Sequence, residues 1–209
     1  MSREVRPVGR DALLVELPDG PAVAALHAEL SRRREAGELG AVRELVPGAC
    51  TLLLDGVAEP ARLARLLGGL DVPSLAAAQG PRVTLDVVFD GADLDEVAGL
   101  WRLDRRGAVR VLCATEFRVA FCGFAPGFGY LTGLPPHLHV PRRATPRTRV
   151  PAGAVALAGP YAGVYPRESP GGWQLLGRVP DPSLLWDVTR EPPALLAPGT
   201  GIRFREVAG

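Results

Sequence analysis

Residues Phe121–Pro180 read FCGFAPGFGYLTGLPPHLHVPRRATPRTRVPAGAVALAGPYAGVYPRESPGGWQLLGRVP, and ten Gly plus ten Pro fill one third of these 60 positions. The other 149 positions hold only 26. In a polar segment that density would indicate disorder. Here Phe124, Phe128, Tyr130, Leu131, Val155, Leu157, Tyr161, Tyr165, Trp173 and Leu175 are interleaved with the turn formers. Apolar material in that amount folds, and Gly and Pro then set turn geometry in a shaped β structure. The segment is therefore where a site is expected.

Pro141, Pro146 and Pro151 recur every five residues, which excludes a helix between them. In the extended chain that remains, Arg147 and Arg149 point to one side. With Arg142 and Arg143 they place four guanidinium groups within eight residues and no acid between them. Planar, bidentate donors in that pattern suit a carboxylate or phosphate clamp. The alternative is a solvated rim, or ion pairs with acids distant in sequence.

Upstream, Gly123 to Tyr130 is a loop of aromatics and glycines. It reads either as a pocket whose amides, near Gly127, approach a small planar carbonyl ligand, or as a packed barrel corner. Ser169 precedes a forced turn and Trp173, with no GxSxG elbow and no nearby His, so its hydroxyl is expected to cap the turn or contact a ligand rather than attack. Arg178 follows the strand that Trp173 begins and could aim its charge at the same cleft. His137 and His139 have chelating spacing but no neighbouring acid, so no metal site is expected. Cys122 has no evident base and reads as a buried structural thiol.

Working outward, Val5–Val8 and Ala12–Leu17 read as paired strands, followed by a helix from Pro21 to about Glu35 stopped by Gly37. Val23, Leu26 and Leu30 share one face of it. Val42–Val46 and Cys50–Leu54 form a second pair around Pro47-Gly48, and Pro60 opens a second helix. That is ββαββα over residues 1–72, a two-layer α+β unit. Residues 73–81 look like a linker, and 82–209 form the second domain. Val83–Phe89 is a strand, Asp93 is placed to cap a helix through Trp101 with its side chain, and a further helix is expected from about Asp104 to Cys113. Phe117–Cys122 is a strand again. Ala194–Pro198 and Ile202–Phe204 are expected as closing strands around the Pro198-Gly199 turn.

The 209-residue chain is 47% hydrophobic and 22% charged, with a net charge of +1, so no global field draws it to nucleic acid or membrane. All 24 basic residues are Arg. Without Lys there is neither a Schiff-base lysine nor a GxxxxGK[ST] phosphate loop. Three cysteines without a CxxC pair, no signal peptide and no apolar run near the roughly 18 residues of a membrane span lead to the expectation of a soluble, reduced, cytoplasmic protein.

Three ordered motifs carry a resemblance. FxPGFxYL at Phe124–Leu131, PRRxxPRxxVPAG at 141–153 and GVYPxxSPGGWxLLGRxP at 163–180 make the chain similar to the family of 5-oxoprolinase B subunits. The family is also called allophanate hydrolase subunit 1 and includes sporulation-kinase inhibitor proteins. The resemblance implies a small N-terminal α+β domain and a C-terminal cyclophilin-like β-barrel of carboxyltransferase type. It implies ATP-dependent opening of 5-oxoproline to glutamate in a complex with two partners, a homologous barrel protein (the C subunit) and an amide-hydrolysing protein (the A subunit). The chain alone is then expected to be inactive. Substrate- or anion-binding candidates are Phe124, Gly127, Tyr130, Arg142, Arg147, Tyr165, Ser169, Trp173 and Arg178. The alternatives are inhibition of a sensor histidine kinase by direct binding, or a part in an allophanate or urea carboxylase-type system. Where the family has Gln-Thr-Gly-Ile-Tyr-Pro, this chain reads Tyr161 to Pro166, losing two polar side chains, and Cys113 stands where the family tends to have His.

Overall fold

A computed structural model describes residues 3–72 and 81–209. The chain divides into two compact units, Met1–Ala78 and Gln79–Gly209. Apart from Pro81, the linker expected at 73–81 lies outside the described residues.

The first unit is ββαββα. Strands β1 (Glu4–Val8) and β2 (Ala12–Glu16) are followed by helix α1 (Gly20–Glu35), then β3 (Glu44–Pro47), β4 (Thr51–Asp55) and α2 (Pro60–Gly69). The antiparallel sheet has the order β1-β2-β4-β3. Pro21 sits in the first turn of α1, where its missing N–H costs nothing, and Asp19 Oδ1 accepts from the Ala22 amide at 2.8 Å. Val23, Leu26 and Leu30 are buried along the expected face of α1; Leu26 and Leu30 pack with Leu13, Val15, Leu52 and Leu54. Arg32 and Arg33 at the helix end both pair with the half-buried Glu29.

The second unit is a barrel. Its strands are β5 (Arg82–Val87), β6 (Phe117–Cys122), β7 (Gly129–Thr132), β9 (Ala154–Ala158), β10 (Tyr161–Val164), β12 (Gln174–Arg178) and β13 (Gly201–Glu206), in the order β12-β9-β10-β7-β6-β13-β5. Between β5 and β6 lie helices α3 (Leu94–Leu100) and α4 (Arg105–Ala114), the latter capped by Asp104 Oδ1 on the Gly107 amide at 2.6 Å. A separate ribbon pairs β8 (Arg147–Val150) with β11 (Ser169–Gly171).

Closure happens just after β5. Val88 and Arg178 exchange two backbone hydrogen bonds of 2.9 Å. The amides of Gly91 and Asp93 then donate to the carbonyls of Leu176 and Leu175, at 3.0 and 2.9 Å. The β5–α3 connection thus bonds part of the edge of β12 and nearly closes the barrel, covering an otherwise exposed strand edge.

Two sequence expectations are corrected. Ala194–Pro198 is not a strand; only Ala194 makes a bridge, to Trp186. Pro192, Pro193 and Pro198 around it supply no amide for a ladder. Asp93 precedes α3 as expected, but its side chain makes no capping hydrogen bond. It has stronger partners, described below.

Strand alternation decides what lies inside the barrel and what lies on its outer face. In β9, Val155 and Leu157 enter the core with Leu131, Ala162, Val164, Leu176 and Phe204. The intervening Ala154, Ala156 and Ala158 belong to a second cluster with Phe128, Tyr165 and Trp173. Small residues on that face of β9 leave room for large rings above them. Among the described residues no helix is long and apolar enough to cross a membrane.

Candidate functional site

The outer face of β7, β9 and β10, bordered by β11 of the ribbon, holds a cleft of about 550 Å³. Period-two alternation supplies its rings: Phe128 and Tyr130 entering β7, Tyr161 opening β10 and Tyr165 just after it, and Trp173 ahead of β12. Phe128 lies edge-on to Tyr165 and to Trp173, with centroids 5.3 and 5.5 Å away. Gly163 makes this nest possible, because a Cβ there would stand 2.9 Å from Phe128 Cζ and 3.1 Å from Trp173 Cζ3. Phe124 covers one side. Its backbone is left-handed at φ 67°, a strained state for an aromatic residue, and its ring is 58% exposed at the cleft.

The four arginines of 142–149 do not act as one clamp. Asp93, only 3% exposed, receives Arg143 Nη1 and Arg147 Nη2 on Oδ1, each at 2.7 Å, and the Leu175 amide on Oδ2 at 2.7 Å. Burial works to raise the Asp93 carboxyl, but Arg147, the Leu175 amide and Arg143 outweigh it and hold it below the usual carboxylate range. Arg149 pairs in solvent with Glu168 at 2.6 Å. That leaves Arg142, which lines the cleft, is exposed and has no ion pair or hydrogen bond among the described residues. Among the described residues it is the only cation in the lining, and no carboxylate lines the cleft beside it.

Of the candidates read from sequence, Phe124, Tyr130, Arg142, Tyr165 and Trp173 meet at this cleft. Arg147 sits behind it on Asp93, with a longer contact of 3.4 Å to the Trp173 carbonyl. Gly127 is turned away: at φ +83° its α-carbon faces Leu185 and Trp186, each 3.0 Å from where a Cβ would be. The loop amides serve the loop, with Gly123, Ala125 and Phe128 donating to Phe128, Gly123 and Ala125 carbonyls. At those three positions the loop is a packed corner, not an amide-lined pocket. Ser169 pairs with Val150 in the ribbon, its hydroxyl 3.5 Å from the Arg167 carbonyl, outside the cleft lining. Arg178 points to Asp90 at 3.0 Å and is likewise absent from the lining. Asp93 was missed as a site residue because its partners lie 50 and 54 residues away.

Tyr165 is buried, and burial pushes its phenol up, with Arg142 and Arg147 pulling back only part of the way. It is therefore a neutral hydrogen-bond donor at physiological pH. Cys122 donates to the Leu196 carbonyl at 3.0 Å, and burial pushes its thiol up to about 11. As a protonated thiol it is no nucleophile near neutrality. Among the described residues no group of three or more His, Cys, Asp or Glu side chains could hold a metal.

The second unit is thus a nearly closed barrel with helices between its first two strands and an aromatic cleft on its outer face. The family model "Carboxyltransferase domain, subdomain C and D" matches residues 3–196, and the chain belongs to that family. It is 48% identical over 126 residues to the B subunit of 5-oxoprolinase from Escherichia coli O157:H7, covering 58% of this chain and 56% of that protein. The same-named protein of Bacillus subtilis (strain 168) is 39% identical over 118 residues, 56% of this chain and 48% of that one. The aligned part thus spans about half the length of these relatives. The crystal structure of TTHA0988 superposes with TM-score 0.77 at 34% identity, over 96% of this chain and 40% of that chain. The Kluyveromyces lactis urea amidolyase, at 19% identity and TM-score 0.72 over 99% of this chain and 15% of its own, shares the fold.

Proposed function

We propose that this chain is the B subunit of an ATP-dependent 5-oxoprolinase. It opens the lactam of 5-oxoproline to glutamate in the cytoplasm, together with a homologous barrel protein (the C subunit) and an amide-hydrolysing protein (the A subunit). The observation that carries this reading is the convergence of the three family-like motifs on one cleft: Phe124, Phe128 and Tyr130 come from the first, Pro141 and Arg142 from the second, and Tyr165, Pro170, Gly171 and Trp173 from the third, with residues 158–161 completing the lining. Relatives named as 5-oxoprolinase B subunits support it.

A lactam carbonyl is a poor electrophile, and phosphorylation of its oxygen makes ring opening feasible. Donors aimed at the developing charge assist such a step, and this cleft supplies the Tyr165 hydroxyl. ATP itself does not fit here. The cleft offers one guanidinium for a triphosphate and no carboxylate for the accompanying Mg²⁺. The nucleotide is therefore not assigned to this cleft, whose own contribution is to hold and orient the lactam.

The test is purification of the tagged chain from its native cell. A barrel-type partner and an amide-hydrolysing partner should co-elute, and the eluate should form glutamate from 5-oxoproline only with ATP. Co-elution of a histidine kinase, with no such turnover, would refute the reading.

A further inference from the structure

Among the described residues the side chains lining the cleft offer donors and no anionic acceptor. Arg142 donates through its guanidinium, the buried Tyr165 phenol is neutral, and the indole of Trp173 has no acceptor. Neither Arg142 nor the Tyr165 hydroxyl has a hydrogen-bond partner among the described residues. Six rings without a charge would suit an ammonium ion by cation–π attraction. Arg142 on the same wall opposes that, and no lining carboxylate compensates. The two arginines that could have competed for an anion, Arg143 and Arg147, are already bound by Asp93 at 2.7 Å.

Resting on the 5-oxoprolinase reading, we propose that this cleft selects small planar carboxylates, with Arg142 as the carboxylate anchor and the Tyr165 hydroxyl as the second donor. Asp93 is a positioning residue: by holding Arg143 and Arg147 it fixes the segment that presents Arg142. The ring faces take the flat body of the ligand, and the guanidinium decides whether it stays.

Calorimetric titration of the full chain, and of the chain in its complex, with 5-oxoproline and with its uncharged analogue 2-pyrrolidinone tests this. A charge-assisted hydrogen bond of about 1.5–3 kcal/mol corresponds to about ten- to hundredfold in affinity. 5-Oxoproline should bind that much more tightly than 2-pyrrolidinone. Arg142→Ala should remove the difference while leaving 2-pyrrolidinone unchanged, Arg142→Lys should keep part of it, and Arg178→Ala should change nothing. Arg142→Ala binding 5-oxoproline as wild type, or no carboxylate binding to chain or complex, overturns the anchor whatever the turnover. Arg142-dependent binding of benzoate without any binding of 5-oxoproline keeps the anchor and refutes the 5-oxoprolinase reading instead.

Discussion

Replacing Asp93 by Ala removes one carboxylate that holds three donors at the barrel seam. Its side chain is 4% exposed, and its partners Arg143 and Arg147 are 31% and 24% exposed; among the described residues Arg147 then loses its counter-charge, while Arg143 keeps only the exposed Glu96, 4.0 Å away. Breaking a buried pair from one side costs about 3–5 kcal/mol. The partial exposure of both arginines lets water recover some of this, which points to the lower end, about 3 kcal/mol. The assay is urea unfolding followed by tryptophan fluorescence, since Trp101, Trp173 and Trp186 all lie in the second unit and report it alone. Asp90→Ala is the internal reference: it removes a half-exposed pair with Arg178, worth under about 1 kcal/mol. A loss below about 1 kcal/mol for Asp93→Ala, equal to that of Asp90→Ala, would refute the seam reasoning.

Acid should erase the same contribution: because the native Asp93 carboxyl lies below its unfolded value of about 3.9, its stabilisation is present above that pH and disappears as pH falls through the lower native value. Wild-type and Asp93→Ala unfolding free energies should therefore converge in acid, and parallel curves down to full protonation would count against it. Gly163→Ala drives a methyl group into Phe128 and Trp173 and should destabilise by about 1–3 kcal/mol with an altered tryptophan spectrum; unchanged rings in a crystal structure of the variant would contradict this. Arg142→Ala should raise the titration of Tyr165 further, because a cation that favours the phenolate is gone. Ultraviolet difference titration against Tyr165→Phe reads this, and an unmoved phenol would separate the two residues.

Local signals carried the small unit well. Pro21 and Pro60 opened both helices, and Val23, Leu26 and Leu30 showed the buried stripe directly. The rings of the cleft were also visible, because alternation along Tyr161–Tyr165 and Phe128–Tyr130 is a local property. What the sequence hid was pairing at a distance. Arg147 and Arg142 look equivalent in the string PRRATPR, yet only topology brings Asp93 onto one and leaves the other facing the cleft. Arg178 looked cleft-bound for the same reason, until barrel closure at Val88 turned it toward Asp90. Gly127 read as a ligand-facing glycine, but its positive φ serves close contact with Leu185 and Trp186.

Asp93 joins closure and site in a single residue. Its amide donates to the Leu175 carbonyl and its carboxylate accepts from the Leu175 amide, so the barrel seam runs through it. The same carboxylate holds Arg147 of the ribbon and Arg143, whose own amide bonds the Gly172 carbonyl beside Trp173. Loosening the seam must therefore disturb the floor of the cleft, and affinity and stability should fall together in Asp93 variants. Arg142 has no such structural tie, so its loss should weaken binding while the unfolding curve stays in place. Arg142 and Arg143 are adjacent in sequence and identical in side-chain chemistry, and that dissociation of affinity from stability is what separates the ligand contact from the scaffold contact.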